Sequence, residues 1–147
     1  MEPVSMLFAR TFRAMTDRFH ERLADRDLEP LRPAHGYVFR YLAAQPSATA
    51  VDLAAHLGVS KQAATKTVAE LVDWGYVRRT PHPTDRRAQA LTLTGKGQAY
   101  LRFADALWSE LEDEFASVVG AERLAVVREA LQTYLAAADA EGIRPVW

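Results

Sequence analysis

Arg86 and Arg87 directly follow Asp85 in a stretch bounded by two short strand-like segments. A carboxylate placed there can hold one guanidinium while the other reaches outward, and a free arginine on a protruding loop suits the narrow, electronegative minor groove of DNA. Taken alone, such a loop is usually a solvated surface feature. A second polar set, Ser60, Lys61, Gln62, Thr65 and Lys66, changes that assessment. Glutamine pairs with adenine, lysine with guanine or phosphate, and a threonine methyl packs on thymine. A generic amphipathic helix would mix acids into the same face, whereas here Glu70 and Asp73 come only toward its far end. Catalytic chemistry has no comparable support. No motif places a histidine beside Ser60 or Ser109, no glycine-rich phosphate loop occurs, and the arginines next to Asp85 favour its inert ionised form. No enzyme activity and no cofactor are therefore expected. The histidines at 20, 35, 56 and 82 lack ligand spacing, so no metal site is expected, and the absence of cysteine removes disulfides and thiol switches.

These side chains need elements to hold them. Val51, Leu53, Ala54 and Leu57 recur at helical spacing, and Gly58 is a natural C-terminal stop. Ser60 offers an N-cap to a second helix with Ala64, Thr67, Val68 and Leu71 on one face and Gly75 at its end. Two short helices and a tight turn over residues 50–74 make a helix-turn-helix whose second member carries the polar set in its first two turns, where a recognition helix enters the major groove. Beyond it, Tyr76, Val77 and Arg78 suit a strand, Pro81 and Pro83 exclude a helix, and Leu91-Thr92-Leu93 alternates as a half-buried return strand should. Residues 75–94 thus read as a β-wing tipped by Asp85, Arg86 and Arg87. Thr94 can cap a long connecting helix over 94–119, which Gly120 breaks.

The chain ends carry apolar stripes. Phe8, Phe12, Met15, Phe19 and Leu23 share one face of a helix within residues 1–28, while Leu124, Val127, Leu131, Tyr134 and Leu135 share a face within 120–141. Each stripe can pack inside its own subunit. Because residues 34–94 already supply a core, burial against a partner chain explains them better, and both segments are expected to be dimerisation helices. Charge is partitioned too: residues 1–59 hold seven bases and seven acids, 60–97 seven and three, and 98–147 four and nine, giving balances of 0, +4 and −5. Positive charge gathers on the segment expected to face phosphate. With 147 residues, 49% of them hydrophobic and 25% charged, the chain suits one globular domain. The N-terminus lacks a signal pattern and no run approaches the ~18 apolar residues of a membrane span, so a cytoplasmic location without membrane contact is expected.

The combination of motifs resembles the MarR family of bacterial transcriptional regulators. The matching residues are Asp52-Leu53-Ala54-Ala55-His56-Leu57-Gly58-Val59-Ser60, Leu71 with Gly75-Tyr76-Val77-Arg78-Arg79, and Asp85-x-Arg87 followed by Leu91-x-Leu93-Thr94-x-x-Gly97. Length and flanking helices extend the likeness over nearly the whole chain. The resemblance implies a mainly α fold with a small β-wing, namely a winged helix-turn-helix domain with N- and C-terminal dimerisation helices. It implies that Arg87 enters the minor groove and that Asp85 braces the wing by a salt bridge. It further implies a homodimer on double-stranded DNA, reading a pseudo-palindromic operator as a repressor. A small aromatic or phenolic effector is a further expected partner, bound in a cleft between the dimer helices and the DNA-binding lobe. His35, Tyr37, Tyr100, Phe103 and Trp108 are the residues that would line such a site, with Arg10 or Arg13 as carboxylate anchors, although aromatics at helical spacing normally fill a core. A winged helix used only for protein contact is the alternative, and it gives no reason for Lys61, Gln62, Lys66 and Arg87 all to point outward.

Overall fold

Side-chain caps and glycines set the local boundaries in the computed structural model, which describes residues 1–138. Six helices and two strands follow in order: α1 Val4–Ala24, α2 Pro33–Ala44, α3 Ala50–Leu57, α4 Lys61–Asp73, β1 Val77–Pro81, β2 Gln89–Leu93, α5 Gly95–Val119 and α6 Ala121–Ala137. The expected terminal helix over 120–141 corresponds to α6, and its last three positions, 139–141, lie outside the described residues.

The described residues form two compact units. One spans residues 31–103. In it, α3 starts on a capping box in which Thr49 Oγ1 accepts from the Asp52 N–H at 3.2 Å while the Asp52 carboxylate accepts from the Thr49 N–H at 2.9 Å. Gly58 ends α3 at φ 66°, a left-handed conformation that costs glycine nothing. The strands pair antiparallel with Val77 opposite Leu93 and Pro81 opposite Gln89. Leu91 N–H also donates to the Ala48 carbonyl at 2.8 Å, which ties the hairpin to the segment ahead of α3. Val38 and Phe39 of α2, Leu53 of α3, Val68 and Leu71 of α4, and Tyr76, Val77 and Leu91 of the wing form the dry centre. Phe39, Tyr76 and Tyr100 meet there ring to ring, with centroids 4.9–5.7 Å apart. Gly97 must be glycine in this packing, because a Cβ there would collide with the Tyr76 carbonyl oxygen.

The other unit joins residues 1–30 to the described residues from 104 onward. Phe19 stacks on Trp108 at 4.5 Å, and Leu23, Ala104, Leu107 and Leu111 are buried with it. Ion pairs frame this contact: Arg18 with Glu114 at 2.8 Å, and Arg22 with both Glu110 and Glu114. A further pair joins Arg128 of α6 to Glu112 of α5. The α1 stripe is divided. Phe19 and Leu23 are buried, Met15 is half-buried, and Phe8 and Phe12 are exposed along with Met6 and Leu7. On α6 no residue is buried, and Val127, Tyr134 and Leu135 of its stripe are exposed.

Candidate nucleic-acid interface

Helix α4 presents its polar set because its apolar set is spoken for. Ala64, Val68 and Leu71 face the core, which leaves Lys61, Gln62, Thr65 and Lys66 exposed on the first two turns. Ser60 Oγ accepts from the Ala63 N–H at 3.1 Å, so that hydroxyl serves first as the helix cap. The rest of α4 is anchored from α2 and α5. Glu70 accepts from Arg32 at 2.6 Å and sits 3.3 Å from His35 Nε2, while His35 Nδ1 accepts the Arg32 backbone N–H at 2.9 Å. Burial pulls the His35 pKa down; the bond to Glu70 works against this, and the Arg32 charge adds to it. At the other end of the helix, Lys96 Nζ donates to the Trp74 carbonyl at 2.7 Å and lies 4.3 Å over the Tyr76 ring. A cation there also suits the negative end of the helix dipole.

The wing is held by strands below and by side-chain acceptors at its tip. Arg78 Nε donates to Thr92 Oγ1 across the strand pair at 3.1 Å. Thr94 Oγ1 donates to the Gly75 carbonyl at 2.6 Å and accepts from the Gly97 N–H at 3.1 Å, so one hydroxyl closes the wing and opens α5. At the tip, Asp85 Oδ1 accepts the Arg87 backbone N–H at 2.9 Å and lies 3.8 Å from Arg87 Nε. That long ion pair leaves the Arg87 side chain 94% exposed. Asp85 therefore acts on Arg87 mainly through the backbone, with the guanidinium contact loose.

Between the tip and the start of the helix-turn-helix lies a cleft of about 890 Å³. It gathers Lys61 and Thr65 of α4, Asp85, Arg86 and Arg87 of the tip, and Arg79 of β1. Ser60, Gln62 and Lys66 belong to the same helix but do not line it. Two contributors escaped the sequence reading. Arg79 is exposed beside Arg78, where strand alternation would turn one of the pair inward. His82 lines the cleft and accepts backbone N–H groups of the tip through Nδ1, a task for which aspartate, asparagine or serine is the customary signal. Asp52 also lines it, its carboxyl held below the usual carboxylate range by its bonds to the Thr49 N–H and hydroxyl.

The residues proposed for an effector are not gathered in this cleft. His35 and Tyr100 are core residues, Tyr100 with its phenol pushed up to about 12 by burial. Tyr37 is half-buried and its phenol is also raised by burial. Trp108 belongs to the other unit, stacked on Phe19, while Arg10 pairs with Glu2 at 2.9 Å and Arg13 with Asp17 at 3.8 Å. No cluster of three or more His, Asp or Glu side chains able to hold a metal occurs among the described residues, and no helix there is long and apolar enough to cross a membrane.

Comparison with known proteins agrees with this geometry. The profile of the MarR family matches residues 29–88, which hold α2, the helix-turn-helix and the wing tip. The HTH-type transcriptional regulator BilQ of Clostridium symbiosum is 31% identical over 81 residues, a match spanning 55% of this chain and only 56% of that protein's length. Among solved structures, the reduced form of MarR from E. coli superposes with a TM-score of 0.80 at 26% identity, over 92% of this chain and 98% of that one. The transcriptional repressor CouR, bound to a 23-mer DNA duplex, gives 0.74 at 28% identity, over 93% and 92%. With an exposed α4 face and an arginine-tipped wing flanking one cleft, the chain is similar to the MarR family of transcriptional regulators, by the family profile over residues 29–88 and by the winged-helix fold over nearly its whole length.

Proposed function

We propose that this chain acts as a homodimer that binds double-stranded DNA sequence-specifically and represses transcription in the cytoplasm. Each α4 enters a major groove with Gln62 and Lys66 toward base edges, and each wing places Arg86 and Arg87 in the adjoining minor groove. The observation that carries this reading is the joint exposure of Lys61, Gln62, Thr65 and Lys66 on two turns of α4, with the 94% exposed Arg87 lining one cleft with Lys61 and Thr65. CouR, of similar fold, is a repressor seen on a duplex. The exposed Phe8 and Phe12 of α1 and the exposed Tyr134 and Leu135 of α6 support a partner chain on those helices. A twofold dimer would present its two α4 helices about one DNA turn, ~34 Å, apart and favour a pseudo-palindrome. A small aromatic or phenolic effector would act on this arrangement by preferring one spacing of the two helices.

Fluorescence anisotropy of a labelled duplex from upstream of the chain's own gene, against an unrelated duplex at ~0.15 M salt, tests the reading. Two chains per duplex and at least ~10³-fold preference are expected. Equal affinity for both duplexes would remove sequence-specific regulation of that gene.

A further inference from the structure

The wing tip is closed by a histidine acting as a hydrogen-bond acceptor. His82 N–H donates to the Ala88 carbonyl and Ala88 N–H to the Asp85 carbonyl, both at 3.2 Å, so residues 82–88 form a small ring of backbone. Inside it, His82 Nδ1 accepts from the Asp85 N–H at 3.0 Å and from the Thr84 N–H at 3.2 Å, with Thr84 Oγ1 at 3.4 Å. Asp85 then accepts from the Arg87 N–H. Two side-chain acceptors in series, His82 and Asp85, thus set the backbone from which Arg86 and Arg87 project.

We infer that His82 is a positioning residue for the wing, whose neutral imidazole holds Arg86 and Arg87 in their groove-reading arrangement and whose protonation releases them. The Nδ1 lone pair exists only while the ring is neutral and carries its proton on Nε2. A proton on Nδ1 would oppose two N–H donors, and both backbone groups would turn to water. The charged groups around the cleft divide in their effect. Lys61 of α4, Arg79 of β1 and Arg86 and Arg87 of the tip oppose the imidazolium, while Asp52 of α3 and Asp85 favour it. Both carboxylates are already engaged, Asp52 with Thr49 and Asp85 with the Arg87 N–H.

This inference rests on the DNA-binding reading, and the test separates the two. His82→Asn retains an acceptor that can reach the same N–H groups and does not titrate, whereas His82→Ala removes it. Duplex affinity of wild type and both variants would be measured at about pH 7.5 and about pH 5.5, alongside amide NMR of the free wild-type protein. His82→Asn should match wild type at the higher pH. On acidification wild type should lose about three- to tenfold relative to His82→Asn, on the scale of one net hydrogen bond, and His82→Ala should bind weakly at both pH values. The Thr84 and Asp85 amides should shift together with the imidazole. Wild type and His82→Asn tracking each other, or wild type gaining on acidification, would overturn the inference, the latter because the imidazolium would be serving as a phosphate ligand. If no form binds any duplex, the DNA reading fails, and the amides alone decide: flat Thr84 and Asp85 shifts would remove His82 from the wing.

Discussion

An arginine 94% exposed at a loop tip adds little to folding, so whatever Arg87 contributes must come from a bound partner. Arg87→Ala is accordingly expected to weaken duplex binding by about 1–3 kcal/mol with the melting temperature unchanged, as read by anisotropy and calorimetry. Unaltered affinity would take the wing out of the interface. Gln62 differs in kind. It sits on the exposed face of α4 without lining the cleft, and the proposed function turns it toward base edges. Gln62→Ala should leave total affinity less affected than preference, narrowing the gap between the operator and single-base variants by about 1–3 kcal/mol at one position. Competition with a panel of such duplexes would show it, and an unchanged panel would deny Gln62 a reading role.

Two joints hold together the unit that carries α4, and each makes a prediction. The first is the buried His35, clamped between the Arg32 N–H and Glu70. Burial holds its pKa below the ordinary 6.5, so below that pH the unfolded chain binds a proton that the folded chain refuses. Stability from this site is therefore intact above about pH 6.5 and is lost as pH falls toward the folded value, with a slope of up to ~1.4 kcal/mol per pH unit. Urea unfolding across this range should show a shallower slope for His35→Gln than for wild type; identical slopes would mean that His35 takes up its proton without cost. The second joint is the contact of Gly97 in α5 with Tyr76, the residue ahead of β1. Gly97→Ala drives a Cβ into the Tyr76 carbonyl and should cost about 1–3 kcal/mol, because backbone must move on both sides. Thermal unfolding reads that loss directly.

At the scale of the molecule, the division of the α1 stripe is the informative feature. Phe19 and Leu23 are consumed inside their own unit, whereas Phe8 and Phe12 remain 48% and 44% exposed. If the proposed dimer forms through this face, Phe12→Asp should leave the folded subunit intact, yield monomer in sedimentation, and abolish tight duplex binding, since a single half-site forgoes the joint contribution of two. A dimer that survives the substitution would place the subunit contact elsewhere. Charge supports the same division of labour, with a balance of +4 over residues 60–97 against −5 over 98–147. Net charge of the whole chain, −1, hides this.

Sequence alone determined the features that arise between neighbours in the chain. Gly58 and Ser60 delimit the turn of the helix-turn-helix because a left-handed stop and a hydroxyl cap act within three residues. Apolar periodicity named the faces of α4 and the strand at Leu91-Thr92-Leu93, since a helix or strand exposes its repeat directly. Periodicity does not say what covers a face, and that only the tertiary structure decided. It sent Tyr100 into the core with Phe39 and Tyr76, and divided one continuous stripe on α1 into a buried and an exposed half. It joined His35 to Glu70 across 35 residues, a polar pairing with no local signature. It also folded His82 back onto the amides of Thr84 and Asp85, because the direction of a ring nitrogen depends on the path of the loop around it.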